Sequence, residues 1–251
     1  MFRGQRVAVV VPAHNEARLI ARTLTSVPGY VDDVVVVDDA SVDATRRCAE
    51  QCGDGRVQVV VHAANRGVGA AIATGYERAL QLGAEVVAVM AGDAQMDPQN
   101  LPALLEPVVG GRADYAKGNR LQWPNAHRAM PPARWLGNHV LSAMTRAATG
   151  LRIQDSQCGY TAISARALRS LDLGALWPRY GYPNDLLASL ARVGARVVDV
   201  PVRPVYADEQ SGLGWRDATY VIPWVLGRAA LRRWGDSAYE TEPAPVSSRG
   251  R

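Results

Sequence analysis

The stretch EVVAVMAGDAQMDP, residues 85–98, decides the fold. Its first half is an apolar run, typical of a strand that is buried on both faces of a parallel sheet. Its second half places Asp93, Gln95 and Asp97 where that strand would end, and Asp97-Pro98 is typical of a helix cap followed by the first helical residue. Open α/β sheets bind ligands at the carboxyl ends of their strands, and Mg²⁺ and Mn²⁺ prefer oxygen ligands. The stretch therefore predicts a buried strand with a ligand site at its end, the alternative being an acidic helix cap alone.

Three similar strand–helix units precede this stretch. We predict strands at residues 6–11, 33–38 and 57–62, with helices at 16–26, at 44–51 and from Gly69 to about Leu82. Such alternation indicates an α/β fold with a parallel sheet and right-handed crossovers. Polar residues follow each strand and hardly ever precede it, so one edge of the sheet is the predicted site.

The second half of the chain has a less regular pattern. We interpret residues 122–132, which contain three prolines, as a mobile active-site loop, in which His127 is better explained as a surface residue than as a catalytic base. The remaining elements predicted here are a helix near 99–109, a strand at 113–117 ending in Gly118-Asn119-Arg120, a helix around 133–149, a strand near 160–163, a short helix from Ser164, a helix introduced by 180–185, and a last strand at 196–202.

The composition is that of an ordinary globular protein of 251 residues, with 48% hydrophobic and 21% charged residues. The net charge is +4, and Lys117 is the only lysine, so arginine supplies the rest of the basic charge and suits anionic ligands. Three cysteines do not suggest a disulfide framework, and free thiols in a reducing compartment are expected. No apolar stretch approaches the ~20 residues that span a bilayer, and no signal peptide is recognisable. We therefore expect a cytoplasmic protein.

The region after residue 205 has a different character. Residues 215–234 combine tryptophans with arginines, which is typical of an amphipathic helix in a membrane interface, whereas a helix packed on the domain is the alternative. We favour membrane contact, and assign residues 206–235 to this segment. Residues 236–251 are polar and are predicted to be a disordered tail.

The glycines in Arg66-Gly67-Val68-Gly69 do not form a dinucleotide fingerprint, because the third glycine position holds Ile72. A tight loop near a nucleobase explains them better, and a plain helix N-terminus is the alternative.

Six motifs occur in the order found in one enzyme family. The chain resembles, over about residues 6–205, the inverting nucleotide-sugar glycosyltransferases of the GT-A fold, in the branch of dolichyl- and polyprenyl-phosphate sugar synthases. The segments that carry the resemblance are Pro12–Glu16 (P-x-x-N-E), residues 37–43 (V-D-D-x-S-x-D), Asn65-Arg66-Gly67 (N-x-G), residues 92–98 (D-A-D-x-Q-x-D-P), Gly118-Asn119-Arg120 (G-x-R) and residues 155–160 (D-x-x-x-G-[FY]).

The resemblance implies a Rossmann-like GT-A domain over residues 1–205, with a mostly parallel sheet flanked by helices. Residues 1–98 would be its nucleotide-binding half and residues 99–205 its acceptor half, with the amphipathic helix following. It implies metal-dependent, inverting transfer of a sugar from a nucleoside diphosphate to a polyprenyl or dolichyl phosphate, with Mg²⁺ or Mn²⁺ as cofactor. The partners would be these two substrates and a membrane surface, at the inner face of the cell membrane, and no nucleic acid.

The resemblance also implies roles for individual residues. Asp93 and Gln95 would bind the metal, and Asp185, Arg120 and Asp155 would be catalytic. Ala91 stands where the family has its first metal-segment aspartate, and the family's transmembrane helices are missing. The residues expected around the nucleotide are Pro12, Ala13, Asn15, Glu16, Asp38, Asp39, Ser41, Asn65, Gly69 and Gly92; for Asp38 and Asp39, turn and cap duty is the alternative.

Three other functions fit parts of the pattern. A soluble hydroxyl acceptor would need Asp185 as general base. A non-catalytic sugar-nucleotide-binding module is suggested by Ala91. A nucleotidyltransferase should have a glycine-rich loop after its first strand, and residues 12–16 are no such loop.

Overall fold

The chain forms a seven-stranded sheet with helices on both faces. The structure is a computed structural model, and it describes residues 1–205, 221 and 223–228. The strands are β1 (Val7–Ala13), β2 (Asp33–Asp38), β3 (Val57–Val61), β4 (Val86–Val89), β5 (Tyr115–Asn119), β6 (Thr161–Ser164) and β7 (Val197–Pro201). The α-helices are α1 (Ile20–Ser26), α2 (Thr45–Glu50), α3 (Val68–Gln81), α4 (Leu101–Val109), α5 (Ala126–Ala129), α6 (Pro132–Thr149), α7 (Ala165–Arg169) and α8 (Tyr182–Arg192). Short 3-10 turns cover Pro98–Asn100 and Leu173–Ala175.

The sheet has the strand order β3-β2-β1-β4-β6-β5-β7. The first four strands are parallel, as predicted, while β6 lies antiparallel between β4 and β5 and β7 is parallel to β5. The sheet is therefore mostly parallel. The predicted GT-A architecture is confirmed for the described part of the chain. The carboxyl ends of β1, β2 and β4 lie at one edge of the sheet, and the antiparallel strand β6 pairs with β4.

Alternation along the buried strands divides the core into two layers. Val7, Val9 and Val11 face the layer that contains α1, α2 and α4, whereas Ala8 and Val10 face the layer that contains α3, α7 and α8. Because both faces are covered by helices, the strands are continuous valine runs rather than alternations of apolar and polar residues.

The helix ends follow local signals. Asp97 accepts a hydrogen bond from the Gln99 amide at 3.0 Å, which confirms its predicted role as a cap. Ser164 accepts one from Ala167 N and caps α7. Helix α6 ends at Thr149 and is followed by Gly150, which has a left-handed φ of 74°.

Several boundaries differ from those predicted. β1 continues to Ala13 because it pairs with β2 as far as Asp38. The first helix begins at Ile20 rather than near residue 16, because Asn15 has a left-handed φ of 58° and the chain turns before it becomes helical. The strand near 113–117 is shifted to Tyr115–Asn119, and the loop 122–132 contains the short helix α5.

The C-terminal region is described only in part. Residues 223–228 are helical, and Leu226 contacts Leu141 of α6. The rest of the segment 215–234, apart from Val221, and the whole predicted tail lie outside the described residues. Among the helices that are described, none has the length and apolar character needed to cross a membrane.

Candidate active site

The carboxyl ends of β1, β2 and β4 carry three residues with left-handed backbone angles. Asn15, Ala40 and Ala94 have φ values of 58°, 57° and 55°. Such angles are uncommon for residues other than glycine, particularly alanine, and they concentrate at functional turns. All three predicted strand ends therefore form sharply bent turns at one edge of the sheet.

Hydrogen bonds join the turns after β1 and β2. The Asn15 amide donates to Ser41 Oγ at 2.9 Å, and Val42 N donates to Asn15 Oδ1 at 2.9 Å. Glu16 N donates to Thr45 Oγ1 at 2.7 Å, and Asp39 N donates to Ala13 O. The predicted nucleotide-binding residues of these two turns thus lie together in one network.

Asp38 and Asp39 are both almost fully buried at the end of β2. Asp39 accepts hydrogen bonds from Arg66 N at 2.8 Å and Gly67 N at 2.7 Å, and His62 Nδ1 lies 2.7 Å from its Oδ1. Burial raises the pKa of Asp39, but these hydrogen bonds outweigh burial and leave the pKa below its usual value. Asp39 therefore fixes the turn after β3, which is a structural role for this carboxylate.

Gly67 and Gly69 allow a close approach of the segment 177–182. A Cβ on Gly69 would lie 2.2 Å from Trp177 O and 2.8 Å from Tyr182 Cβ, and Gly67 has a φ of +96°. Ala70 N donates to Pro178 O at 3.0 Å. Packing thus accounts for the missing side chain at Gly69. Gly92 is also tightly packed, since its Cβ would lie 3.2 Å from Ile20 Cδ1, and Asn65 is exposed, with its carbonyl 3.4 Å from Arg179 Nη2.

A cavity of about 410 Å³ opens at the carboxyl end of β4. One wall comes from the turns after β1 and β4 and the start of α3, and the other from Arg120 after β5, from α6 and α8, and from residues around β6 and β7. The lining residues of the first wall include Pro12, Glu16, Ala91, Asp93, Gln95 and Met96. Those of the second include Arg120, Arg134, Asn138, Cys158, Tyr160, Tyr182 and Arg203.

The first wall offers oxygen ligands to a hard cation. Asp93 Oδ1 accepts a hydrogen bond from Gln95 N at 3.0 Å, which orients the carboxylate within the turn. Glu16 and Gln95 line the same cavity. Within the described ranges, no group of three His, Cys, Asp or Glu side chains is placed to hold a metal. These side chains could therefore supply part of the ligand set of Mg²⁺ or Mn²⁺. The phosphates of a bound nucleotide would complete that set.

Arg120 and Asp155, both predicted to be catalytic, form a bidentate pair. Arg120 Nε and Nη2 donate to the two carboxylate oxygens at 2.8 and 3.0 Å, and Arg120 N adds a bond of 3.1 Å. Asp155 is fully buried, whereas Arg120 lines the cavity. Burial raises the pKa of Asp155, but the charge and hydrogen bonds of Arg120 outweigh it and lower the pKa overall. Asp155 therefore holds Arg120 against the cavity wall.

Behind this pair lies Lys117, which the sequence reasoning did not assign to the site. It is fully buried on β5, and its Nζ donates to Cys158 O at 2.5 Å. Asp199 is its register partner on β7. Burial lowers the pKa of Lys117 and raises that of Asp199. The signal available in the sequence was a single lysine in a strand that is otherwise uncharged.

Asp185 lies behind the cavity wall. Its carboxylate accepts hydrogen bonds from Trp177 N at 2.8 Å and from Arg228 Nη2 at 2.6 Å. Of its helix, Tyr182 and Pro183 line the cavity, but among the described residues Asp185 is not in the lining. The residue predicted as a general base thus anchors the helical turn at 223–228, whose Arg228 also stacks over Trp224 at 5.4 Å.

The lining residues that were not predicted include four polar ones from the second half of the chain. Arg134 and Asn138 come from α6, Tyr182 from the start of α8, and Arg203 from the chain after β7. The sequence signals for them were a basic residue after the proline-rich loop and the Tyr-Gly-Tyr-Pro turn. Neither signal shows that the residue lines a cavity, because the positions of α6 and α8 in the fold cannot be read from the sequence.

Comparison with known proteins identifies the family of this chain. Residues 8–172 match the family described as Glycosyl transferase family 2. The chain is 33% identical over 245 residues to the undecaprenyl-phosphate mannosyltransferase of Micrococcus luteus, covering 93% of this chain and 95% of that protein. It is 30% identical to the polyprenol monophosphomannose synthase of Mycolicibacterium smegmatis, over 89% of each chain. It is 26% identical to the UDP-N-acetylglucosamine–dolichyl-phosphate N-acetylglucosaminyltransferase of Methanococcus voltae, over 83% of this chain and 89% of that protein.

Among solved structures, the fold resembles glucosyl-3-phosphoglycerate synthase from Mycobacterium tuberculosis in complex with Mn²⁺, UDP and glucosyl-3-phosphoglycerate, with a TM-score of 0.70. The sequence identity is 21%, over 90% of this chain and 80% of that chain, so this likeness concerns the fold. The family match spans well over half of the sequence, and the Micrococcus relative is similar along nearly its whole length. The chain therefore belongs to glycosyl transferase family 2 and is a nucleotide-sugar-dependent glycosyltransferase.

Proposed function

We propose that this enzyme transfers a sugar, with inversion and with Mg²⁺ or Mn²⁺, from a nucleoside diphosphate to a polyprenyl-phosphate-type lipid. The observation that carries the proposal is the unequal charge of the cavity walls. Glu16 and Asp93 lie on the wall beside β1 and β4, whereas Arg120, Arg134 and Arg203 belong to the other wall, from which Arg203 Nη1 also reaches to 3.8 Å from Asp97 Oδ2. An acidic wall suits a metal-bound diphosphate, to which Arg120 can add positive charge, whereas Arg134 and Arg203 suit the phosphate of the acceptor. The names of the Micrococcus and Mycolicibacterium relatives point to the same acceptor class.

On the donor side, Asp93 and Gln95 would hold the metal, which when bound neutralises the charge that develops on the diphosphate leaving group. Arg120 supplies a further positive charge to the same leaving group. Its buried partner Asp155 fixes the direction of the guanidinium before the substrate binds. The turns around Asn15 and Ser41, and the buried carboxylate of Asp38, would surround the nucleoside.

On the acceptor side, a phosphate oxygen forms the new bond to the anomeric carbon while the bond to the diphosphate breaks. A phosphate monoester is already anionic at neutral pH, so no protein base is needed to remove a proton from it. The position of Asp185 supports this choice, since its carboxylate is occupied by Trp177 N and Arg228 behind the cavity wall. A hydroxyl acceptor would need a base inside the cavity.

A lipid acceptor implies that the reaction takes place at a membrane surface. We assign the enzyme to the cytoplasmic face of the cell membrane as a peripheral protein, because that is where nucleotide sugars are expected. No interaction with nucleic acid is proposed.

The proposal is tested by offering a panel of nucleotide sugars together with polyprenyl phosphate, with Mn²⁺ or with EDTA. We expect a lipid-linked sugar with one donor, and its loss in EDTA and in Asp93→Asn. Asp172→Asn is the matched control, since it makes the same chemical change at an aspartate that caps the 3-10 turn Leu173–Ala175 and is not in the described lining of the cavity, and asparagine caps a helix as well as aspartate. Undiminished transfer by folded Asp93→Asn would refute the metal role. Tight donor binding without transfer to any acceptor would favour a non-catalytic binding module.

A further inference from the structure

Helix α6 has an unusual distribution of side chains. The face that it buries is largely polar: Asn138, Ser142, Thr145 and Thr149 are nearly inaccessible to solvent. Thr145 Oγ1 donates to Asn184 Oδ1 at 2.8 Å, and Ser142 Oγ accepts from Ser156 N at 2.9 Å. Thr149 Oγ1 donates to Thr145 O at 2.7 Å and Asn138 Nδ2 donates to Met130 Sδ at 3.7 Å, so each of the four polar side chains has a hydrogen-bond partner on the packed side of the helix.

The exposed face of the same helix is apolar. Leu136, Val140 and Met144, spaced four residues apart, are 60%, 52% and 36% exposed. At 100° per residue they form one stripe, and all the exposed residues near its centre are apolar. We call these residues the α6 stripe: Ala133, Leu136, Val140, Ala143, Met144 and Ala147.

The surroundings of the α6 stripe are basic and aromatic. Residues 120–149 contain no aspartate or glutamate, and of their four arginines Arg128 and Arg146 are exposed, whereas Arg120 and Arg134 line the cavity. Trp135 and His139 lie along one border of the stripe with their rings 4.3 Å apart, and Arg146 lies on the same border. Tryptophan and arginine beside an apolar stripe are typical of helices that lie in a membrane interface, where anionic lipids attract the basic charge.

We propose that the α6 stripe docks the enzyme on an anionic lipid bilayer. The choice of a bilayer over a second copy of the chain follows from size. The three large side chains expose on the order of 300 Å², whereas a stable dimer buries roughly 800 Å² per partner. Insertion into an interface needs only a few apolar side chains and complementary charge.

The docking has a consequence for the acceptor. Arg134 and Asn138, on the same helix, line the cavity. These two residues are roughly 160° round the helix from Leu136, so seating α6 in the interface would place them within roughly one helix diameter (10 Å) of the inserted side chains. This consequence rests on the proposed function, while docking itself is independent of it.

The test is sedimentation of the full chain with vesicles of equimolar phosphatidylglycerol and phosphatidylcholine that contain no polyprenyl phosphate. We expect Leu136→Gln/Val140→Gln/Met144→Gln to bind at least about tenfold more weakly than wild type. The matched control is Val42→Gln/Val61→Gln/Val193→Gln, which changes three exposed valines elsewhere, with exposures of 91%, 40% and 40%. The control should bind like wild type. Equal binding by both triple variants would overturn the proposal.

Two further measurements separate the alternatives. Hydroxyl-radical footprinting of the free enzyme should label Leu136 and Met144, and vesicles should protect them; protection without vesicles would mean that protein covers the stripe. Sedimentation velocity would identify a second copy as the cover if wild type is dimeric and the α6 variant monomeric. Transfer to a short, water-soluble prenyl phosphate should be unchanged in the α6 variant. If wild type fails with short and long acceptors alike, the proposed function fails, while the vesicle result still decides the docking.

Discussion

Replacing Asp155 by asparagine should destabilise the fold and also misdirect Arg120. Asp155 is fully buried and accepts two side-chain bonds and one backbone bond from Arg120, together with a bond from Gln157 N at 3.2 Å. Asparagine removes the negative charge and turns an amide group toward the guanidinium. Breaking a buried ion pair from one side costs roughly 3–5 kcal/mol. We expect the lower end, about 3 kcal/mol, because Arg120 retains 20% exposure and stays partly hydrated.

The assay is urea denaturation of both proteins without substrate. The free energy of unfolding falls by about 2–3 kcal/mol for each 1 M of urea. A loss of about 3 kcal/mol in that free energy therefore lowers the urea midpoint by about 1–1.5 M. Transfer measured well below the new midpoint should also fall, because the guanidinium no longer has a fixed direction.

A double-mutant cycle measures the coupling between Asp155 and Arg120. Arg120→Ala should cost about 3 kcal/mol in transition-state stabilisation, roughly a hundredfold in turnover. Adding Asp155→Asn to Arg120→Ala should cost little further activity, because Asp155 acts through Arg120. An unchanged unfolding free energy in Asp155→Asn, or additive losses of activity in the double variant, would refute this reasoning.

Three other predictions concern Gly69, Asp114 and Asp185. Gly69→Ala should lose about 1–3 kcal/mol of stability and weaken donor binding, because its Cβ would meet backbone at Trp177; Gly137→Ala, with open space around its Cβ, is the matched control in urea denaturation and should be neutral or stabilising. The Arg196 hydrogen bonds and the nearby Arg166 lower the pKa of Asp114 to about 2, so its stabilising effect should be complete above about pH 4, its unfolded value, and disappear as the pH falls through about 2. Asp114→Asn should accordingly be about 1 kcal/mol less stable than wild type at pH 7, since both arginines are largely exposed, and the difference should shrink in melts toward pH 2; a constant difference would contradict the assignment. Asp185→Asn should retain measurable transfer to lipid phosphate while losing stability through Arg228, and robust transfer to a soluble alcohol that disappears in this variant would reverse the choice of acceptor.

The first half of the fold could be predicted because its signals are local. Buried parallel strands need runs of valine, and the turns that end them need residues such as Asn15 and Asp97 that stabilise a bend or a cap. The valine run and the turn residue of each unit lie within a few residues of each other. Together these two signals predicted β1 to β4 and the edge of the sheet at which polar residues gather.

The second half depends on contacts that are distant in sequence. Nothing in the residues of β6 shows that it lies antiparallel between β4 and β5, because pairing partners are chosen by the whole sheet. Asp155 and Asp185 look alike in the sequence, as acidic residues near a helix or turn. Only the fold shows that Asp155 holds a cavity residue and that Asp185 holds Arg228 behind the wall.

The position of β6 has a practical consequence for fragments of this enzyme. A fragment ending at residue 98 would lose β6, the partner of β4, and would leave the four buried residues of Val86–Val89 as an open strand edge. Such an edge is a template for pairing with other chains, so the fragment should aggregate when it is expressed alone. Split-enzyme reporters or truncated forms of the enzyme should therefore keep β4 and β6 on the same polypeptide.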